Sequence, residues 1–455
     1  MAKKKQIELT IEEKLQNALV PKEEQPYKIP NNWCWVRLDF LLKEICNGTT
    51  IKQNKEGKTA RVTRIESLQN NTIDFNRIGN IVNESLIKDK DWYIEGDIIV
   101  SHINSIEHVG KSAVITRDML PLVHGMNLLR LRLNNICNSQ FFQLYTRTTD
   151  YKKSIVNRVN RAVNQVSINQ KQLCSLEIPI TNLKEQQRIV NRIESLFAKL
   201  DRAKELIENT LAQFEQNKIA ILHKAFTGEL TAKWRKENNI DLSSWEKIKL
   251  GKVLLPMQTK KPTGQFFRYI DIDAIDNKRQ IVKAPKLILT EKAPSRASRG
   301  VETGNILFSM VRPYLKNIAQ IDSDLSDCIA STGFYVCRCK PELNSRFLYY
   351  LFIFDKTIDY LMQFMKGDNS PSIRKDDLLN MKIDLPTIEE QQEIVNILDN
   401  LLAKYNKIKN LEQQLEKIEL LKKAILAKAF RGELGTNNPD EESAENLLKE
   451  ILAEK

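Results

Sequence analysis

The stretch NRVNRAVNQ, from Asn157 to Gln165, gathers Arg158, Asn160, Arg161, Asn164 and Gln165. Arginine, asparagine and glutamine are the side chains that pair with base edges through two hydrogen bonds at once. A later stretch, MKGDNSPSIRK, places Lys366, Asn369 and Arg374 in a similar polar run. Further basic runs stand elsewhere, Lys52, Lys55, Lys58, Arg61 and Arg64 around Gly57, and Lys260, Lys261, Arg296 and Arg299 in a second region; of these side chains lysine mostly holds phosphate. The sequence VRPYLK adds Arg312, Tyr314 and Lys316. The chemistry on offer is non-covalent recognition of a polyanion with readable edges. For each residue taken singly, a solvated basic surface is the competing reading.

Groups for covalent chemistry are not arranged to perform it. VGKS, Val109 to Ser112, looks like half of a phosphate-binding loop, but the glycine required five positions before Gly110 is Ser105. Asp271, Asp273 and Asp276 resemble the start of a calcium loop, yet position five is Ile275 and position six is not glycine. No GxGxxG, DPPY, NPPY or HExxH motif occurs, and His102, His108, His124 and His223 lack metal-ligand spacing. Seven cysteines, an odd number with no CxxC pair, fit neither a disulfide framework nor a zinc site. The expectation is a chain with no catalytic residue, no metal and no cofactor of its own.

The elements that must position the polar clusters come from an internal repeat. EQQRIVNRIESLFAKL, starting at Glu185, recurs as EQQEIVNILDNLLAKY at Glu390, an offset of 205; KAFTGEL at Lys224 recurs as KAFRGEL at Lys428, offset 204. Upstream, Ser167-Ile168 matches Ser372-Ile373, and EGDIIVS from Glu95 matches TGNILFS from Thr303. Trp33-x-x-Val36-x-Leu38 matches Trp245-x-x-Ile248-x-Leu250. Ile189, Ile193, Leu196, Leu200 and Ile207 follow a heptad seam, and Leu398, Leu402, Leu411, Leu415 and Ile418 make a similar stripe. Gly228 and Gly432 stand just past the last apolar positions, where a left-handed cap needs glycine. Two helices of about 40 residues, roughly 60 Å each, follow. Neither can bury its stripe alone, so the spacing predicts an antiparallel pair within one chain, with coiling between two chains as the alternative. The blocks between read as mixed α/β, with strand-like runs at 128–133 and 333–339 and helices around 139–151 and 345–365.

Charge supports two binding surfaces. The 455 residues hold 70 Lys plus Arg against 58 Asp plus Glu, net +12. Residues 31–183 are net +6 and 243–388 net +7, whereas 435–455 is net −4. Two separate basic blocks are the electrostatic footprint of two nucleic-acid-facing surfaces. A hydrophobic content of 42% and a charged content of 28% exclude a disordered chain. No apolar run reaches the ~18 residues of a membrane span. The basic start MAKKKQIELTIEEKL has no apolar segment after it, so a cytoplasmic protein without a membrane partner is expected.

The two EQQ-x-I-V helices, the two AFxGEL endings, the repeated W-x-x-V/I-x-L openings and the GD/GN-I-hydrophobic-S strands together resemble the specificity (S) subunit of type I restriction-modification systems. VRPY, Val311 to Tyr314, is also similar to that family's pattern, and the likeness covers residues 30–435. It implies an α+β fold: two tandem mixed α/β target-recognition domains separated by two long helices that form an antiparallel intramolecular coiled coil, a pseudo-two-fold repeat. The expected boundaries are an N-terminal extension at 1–30, recognition domains at 31–183 and 243–388, spacer helices at 184–230 and 389–434, a linker at 231–242 and an acidic tail at 435–455. The resemblance further implies a non-catalytic subunit whose two domains each read one half of a split target in double-stranded DNA. Its helices would set the spacer and dock two methyltransferase (M) subunits, which bring S-adenosylmethionine, and motor-nuclease (R) subunits, which bring ATP and magnesium. One departure is visible: Ser101 to Asn104 read SHIN where the second half reads SMVRPY, so a base contact at Arg312 does not transfer to the first half. A structural coiled-coil adaptor remains the rival reading, and it leaves the two basic blocks unexplained.

Overall fold

In Leu128–Leu133, LLRLRL, leucine alternates with arginine, and the strand buries both kinds of residue. Arg130 is 1% exposed because its guanidinium donates to the carbonyls of Lys90 (2.7 Å) and Trp92 (3.0 Å) and to Glu44 (2.8 Å). Arg132 grips Asp97 with two bonds of 2.8 and 2.9 Å. A buried guanidinium is tolerated only when so many acceptors meet it. The computed structural model that shows this describes residues 10–54, 60–163, 165–406 and 409–454. Two units divide the chain: one runs to Glu205 and resumes at Gln414, the other is Leu206–Gln413.

In the first unit, Leu128–Leu133 is central to an antiparallel sheet ordered Ser112–Val114, Ile98–Ser101, Leu128–Leu133, Leu42–Asn47. A two-stranded ribbon, Cys34–Arg37 against Glu177–Ile180, closes the domain. Helices Ser139–Thr146 and Thr149–Val156 begin at Asn138 and Thr148, whose side chains accept the first free N–H groups. The second unit repeats the plan. Its ribbon is Glu246–Lys249 against Lys382–Leu385, and one sheet is ordered Leu254–Leu255, Phe334–Cys339, Ile306–Ser309, Ile318–Gln320. Helices Ser345–Ile353 and Asp355–Met362 follow. A further four-stranded sheet includes one parallel pair, Phe266–Ile270 beside Ile329–Ser331.

The first long helix is Leu183–Phe226, and its counterpart runs as Ile388–Asn406 and Lys409–Phe430. Within the first unit Asp201 pairs with Lys422 and Lys204 with Glu419 at 3.2 Å, so the helices run antiparallel inside one chain. Of the expected seam, Ile189, Ile193, Leu398 and Ile418 are buried, while Leu196, Leu200, Ile207, Leu402, Leu411 and Leu415 are half-buried. Val190 and Phe197, outside the heptad pattern, are buried as well. The helices bury a wider stripe than a two-helix seam because they also pack on the recognition blocks. Leu222 and Ala225 enter the second unit's core; Leu426, Ala429 and Phe430 enter the first's. Gly228 (φ +80°) and Gly432 (φ +73°) cap both helices in the left-handed region.

Three segments that read as peripheral are built into the units. Ile11–Ala18 starts on a Thr10–Glu13 capping box and buries Leu15 and Ala18. It packs against Ala444–Glu454, whose Ala444, Leu448 and Leu452 are buried. The stretch expected as an acidic tail thus ends in a helix: four-residue spacing puts its apolar residues on one face, and its net charge hid that stripe. The expected linker holds the helix Ala232–Glu237 with Arg235 buried.

Candidate nucleic-acid interface

Each unit builds the same junction from different residues. In the first, the fully buried strand Ile98–Ser101 runs into Ile103–Asn104, which pairs with Val166–Ser167, which in turn pairs with Asn160–Arg161. The N–H of Ile168 donates to His102 O at 2.9 Å. Val159 and Val166 fix the two legs of the hairpin in the core, and Ala162 N–H closes its turn onto Gln165 O at 2.9 Å. In the second unit the buried strand Ile306–Ser309 leads to Val311, which bridges to Ser372. There Arg312 N–H donates to Pro371 O (2.8 Å) and Ile373 N–H to Met310 O (3.0 Å), while Lys366 and Ser372 exchange two 3.0 Å bonds. So the two polar loops named from sequence each dock beside the segment that follows a buried strand.

The candidate residues fall into three groups. Lys52, Arg161, Gln165, Lys260, Lys261, Arg296, Lys366 and Asn369 are exposed, with side chains that bond no other described residue. Tyr314 is also exposed, and Arg374 caps Lys375–Leu379 through its backbone N–H on Asp377 (2.7 Å). Others spend their charge within the fold. Arg61 donates to Met119 O (3.2 Å) and Pro121 O (3.1 Å) and lies 4.9 Å over the Phe75 ring. Arg64 pairs with Glu66 at 3.0 Å, Arg158 pairs with Glu177, and Asn160 faces Gln172 at 3.3 Å. Arg299 is half-buried, Arg312 donates to Asn369 O (2.8 Å), and Lys316 holds Ile353 O (3.1 Å) and Asp355. Arg312 and Lys316 both take left-handed backbone, φ +49° and +51°, at the ends of the Pro313–Leu315 turn. Such backbone, uncommon outside glycine, persists only where contacts hold it, here the bonds of Arg312 to Asn369 O and of Lys316 to Ile353 O and Asp355. Lys55, Lys58 and Asn164 lie outside the described residues.

Two features escaped the motif reading. The first is a cleft of about 410 Å³ in the first unit, lined by Gln53, Arg64, Glu66, Asn104, His108 and Lys111 among others. Asn104 also belongs to the hairpin's sheet, so cleft and hairpin adjoin. Burial pushes the nearby His102 imidazole below its usual pKa, which keeps it neutral near neutral pH. The SHIN run after a buried strand was the available signal. The second is the role of the EQQ motif, which the sequence showed only as a mark of the repeat. Gln186 donates to Ile136 O and Thr181 O, both at 2.7 Å, and accepts Asn138 N–H at 2.8 Å. Gln391 repeats this with Glu342 O (3.0 Å), Pro386 O (2.9 Å) and Asn344 N–H (2.8 Å). Each glutamine thus ties its long helix to the N-cap of the recognition-block helix, Ser139–Thr146 or Ser345–Ile353.

A family model for the type I restriction modification DNA specificity domain matches residues 31–213 and 245–420. The chain belongs to this specificity family. It is 31% identical over 424 residues to a putative type I restriction enzyme MjaX specificity subunit of Methanocaldococcus jannaschii, covering 90% of this chain and 95% of that one. It is 30% identical to the EcoKI specificity subunit of Escherichia coli over 48% of this chain and 47% of the other. Among solved structures, the fold is similar to a chain from a study of complex assembly and conformational transition of the type I R-M system (TM-score 0.66, 19% identity, 90% and 100% covered). The HsdS subunit from Thermoanaerobacter tengcongensis has the same fold (TM-score 0.55, 20% identity, 90% and 99% covered). Among the described residues of this specificity-family member, no helix is long and apolar enough to cross a membrane.

Proposed function

We propose that this chain is the non-catalytic DNA-reading subunit of a type I restriction-modification assembly, each unit reading one half of a bipartite target. The observation that carries the reading is the duplicated junction: two exposed hairpins, each hydrogen-bonded beside the loop after a buried strand, presenting different side chains from one scaffold. Arg161 and Gln165 in the first unit, and Lys366, Asn369 and Arg374 in the second, are the side chains free to meet DNA. The long antiparallel helices would hold the half-sites at a set spacing and dock two methyltransferase subunits and the motor-nuclease subunits. Those partners would supply S-adenosylmethionine, ATP and magnesium in the cytoplasm, and none is expected on this chain. The adaptor alternative predicts no DNA target.

Methylome sequencing of cells carrying the intact system tests this. Changing Arg161 and Gln165 to Ala should relax one half of the methylated motif and leave the other half and the spacing intact. Each bidentate base contact is worth about 1–3 kcal/mol of discrimination, so the relaxed position should lose roughly tenfold or more in preference. Changing Lys366 and Arg374 should act on the opposite half. A uniform drop in methylation at an unchanged motif would mark these residues as phosphate clamps and overturn the base-reading assignment.

A further inference from the structure

Between Arg161 and Gln165 stands Val163, 98% exposed and the most exposed large apolar side chain among the described residues. Its position is odd on two counts. Tight turns favour Gly, Asn, Asp and Ser, whose backbone or side chain suits the bend, and a β-branched residue supplies neither advantage. The hairpin also has valines where they are needed: Val159 and Val166 anchor its legs in the core, while the 98% exposed Val163 belongs to no apolar cluster of the described residues. The corresponding loop of the second unit, Gly367 to Ser370, is wholly polar apart from its glycine. One hairpin therefore carries an apolar tip and the other does not.

We propose that Val163 reads a thymine in the first half-site by packing on its C5 methyl group in the major groove. That methyl is the apolar mark which distinguishes a base pair on the groove edges. The flanking Arg161 and Gln165, both exposed, would meet hydrogen-bonding edges of neighbouring bases and hold the tip against the methyl. The proposal rests on the half-site reading above. It also makes a prediction about content: the half-site assigned to the first unit contains an A·T pair.

The test uses the full chain assembled with its partner subunits and synthetic duplexes bearing its methylated motif. Each thymine of the first half-site is replaced in turn by deoxyuridine, which lacks only the methyl, and affinity is read by fluorescence anisotropy. The wild type should lose about three- to ten-fold at one position, the scale of one methyl leaving an apolar contact. Val163→Ala should bind thymine and deoxyuridine duplexes alike, whereas Val163→Thr, which keeps a methyl and the side-chain shape, should retain part of the discrimination. A half-site without thymine on either strand, no sensitive position in the wild type, or equal sensitivity in Val163→Ala would each overturn the proposal. Arg161→Ala relaxing the same half-site in those cases would leave the half-site reading standing, so the two failures are separable.

Discussion

The two ribbons that close the units share one register and differ in nearly every outward property. Cys34–Arg37 is buried save for Arg37, and Glu246–Lys249 is mostly exposed. Trp35 pairs with Pro179 in the first, and at the same register Lys247 pairs with Asp384 in the second. The difference lies in what covers them. In the first unit Leu19 bridges to Val36, Val20 N–H donates to Trp35 O (2.9 Å), and Tyr27 packs edge-on to the Trp35 ring at 4.9 Å. In the second, no described strand pairs with the outer edge of Glu246–Lys249, and its side chains are the charged ones water demands. A duplicated scaffold thus keeps its hydrogen-bond register while each outward face follows its own covering.

The largest effect that would break this comparison is at the covered tryptophan. Trp35→Ala removes a side chain 1% exposed whose Nε1 donates to Tyr27 O at 3.2 Å, and should cost the first unit about 3–5 kcal/mol. Lys247→Ala, at the equivalent position and 79% exposed, should stay within about 0.5 kcal/mol. Peptide-resolved hydrogen exchange in urea assigns each change to its unit. Similar costs at both sites would show that the covering segment contributes little.

A smaller contrast concerns the first residue of each EQQ motif. Glu390 is buried and receives Arg235, Thr231 Oγ1 (2.6 Å) and Trp245 Nε1 (2.9 Å). Glu185 receives Thr436 Oγ1 (2.7 Å) and Arg188, which is 38% exposed and shared with Glu441. Arg235→Met leaves a buried carboxylate without its only described cation and should cost about 3–5 kcal/mol. Glu185 is as fully buried as Glu390, but its partner Arg188 is 38% exposed, so water reaches the carboxylate once that side chain is shortened, and about 1–2 kcal/mol is expected for Arg188→Met. Chemical denaturation of the two variants ranks them, and the reverse order would contradict the assigned partners.

The smallest effect is a pH dependence confined to the first unit. Arg188 and Asn182 hold the Glu441 carboxyl down at about 2, so its contribution is fully present above the ordinary pKa near 4.5 and fades as pH falls from there toward 2. Hydrogen exchange in Ala444–Glu454 should rise across that window, and Glu441→Gln should flatten the dependence. An unchanged profile in the variant would remove Glu441 as the cause.

Much of the architecture was readable because it depends on neighbours in sequence. Heptad spacing, glycine just past an apolar run and matched strand motifs each act over a few residues, and the repeat offset showed that one plan is used twice. The arginines show where such reading stops. Arg61, Arg64, Arg158 and Arg161 are alike as single residues, yet among them only the Arg161 side chain bonds no other described residue. Which guanidinium is free depends on acceptors such as Pro121 O or Glu177, brought near by folding rather than by spacing.

The sequence by itself therefore determined the duplication, the helices with their caps, and the two polar loops, since periodicity and backbone preference are local. Tertiary structure decided which long-helix residues face a block rather than a helix, that the acidic end docks beside Ile11–Ala18, and that Gln186 and Gln391 tie helix to block. It also decided that Val163 is left bare at a tip whose legs are anchored by Val159 and Val166. Burial and hydrogen-bond partnership are properties of distant pairs, and no local pattern in the chain encodes them.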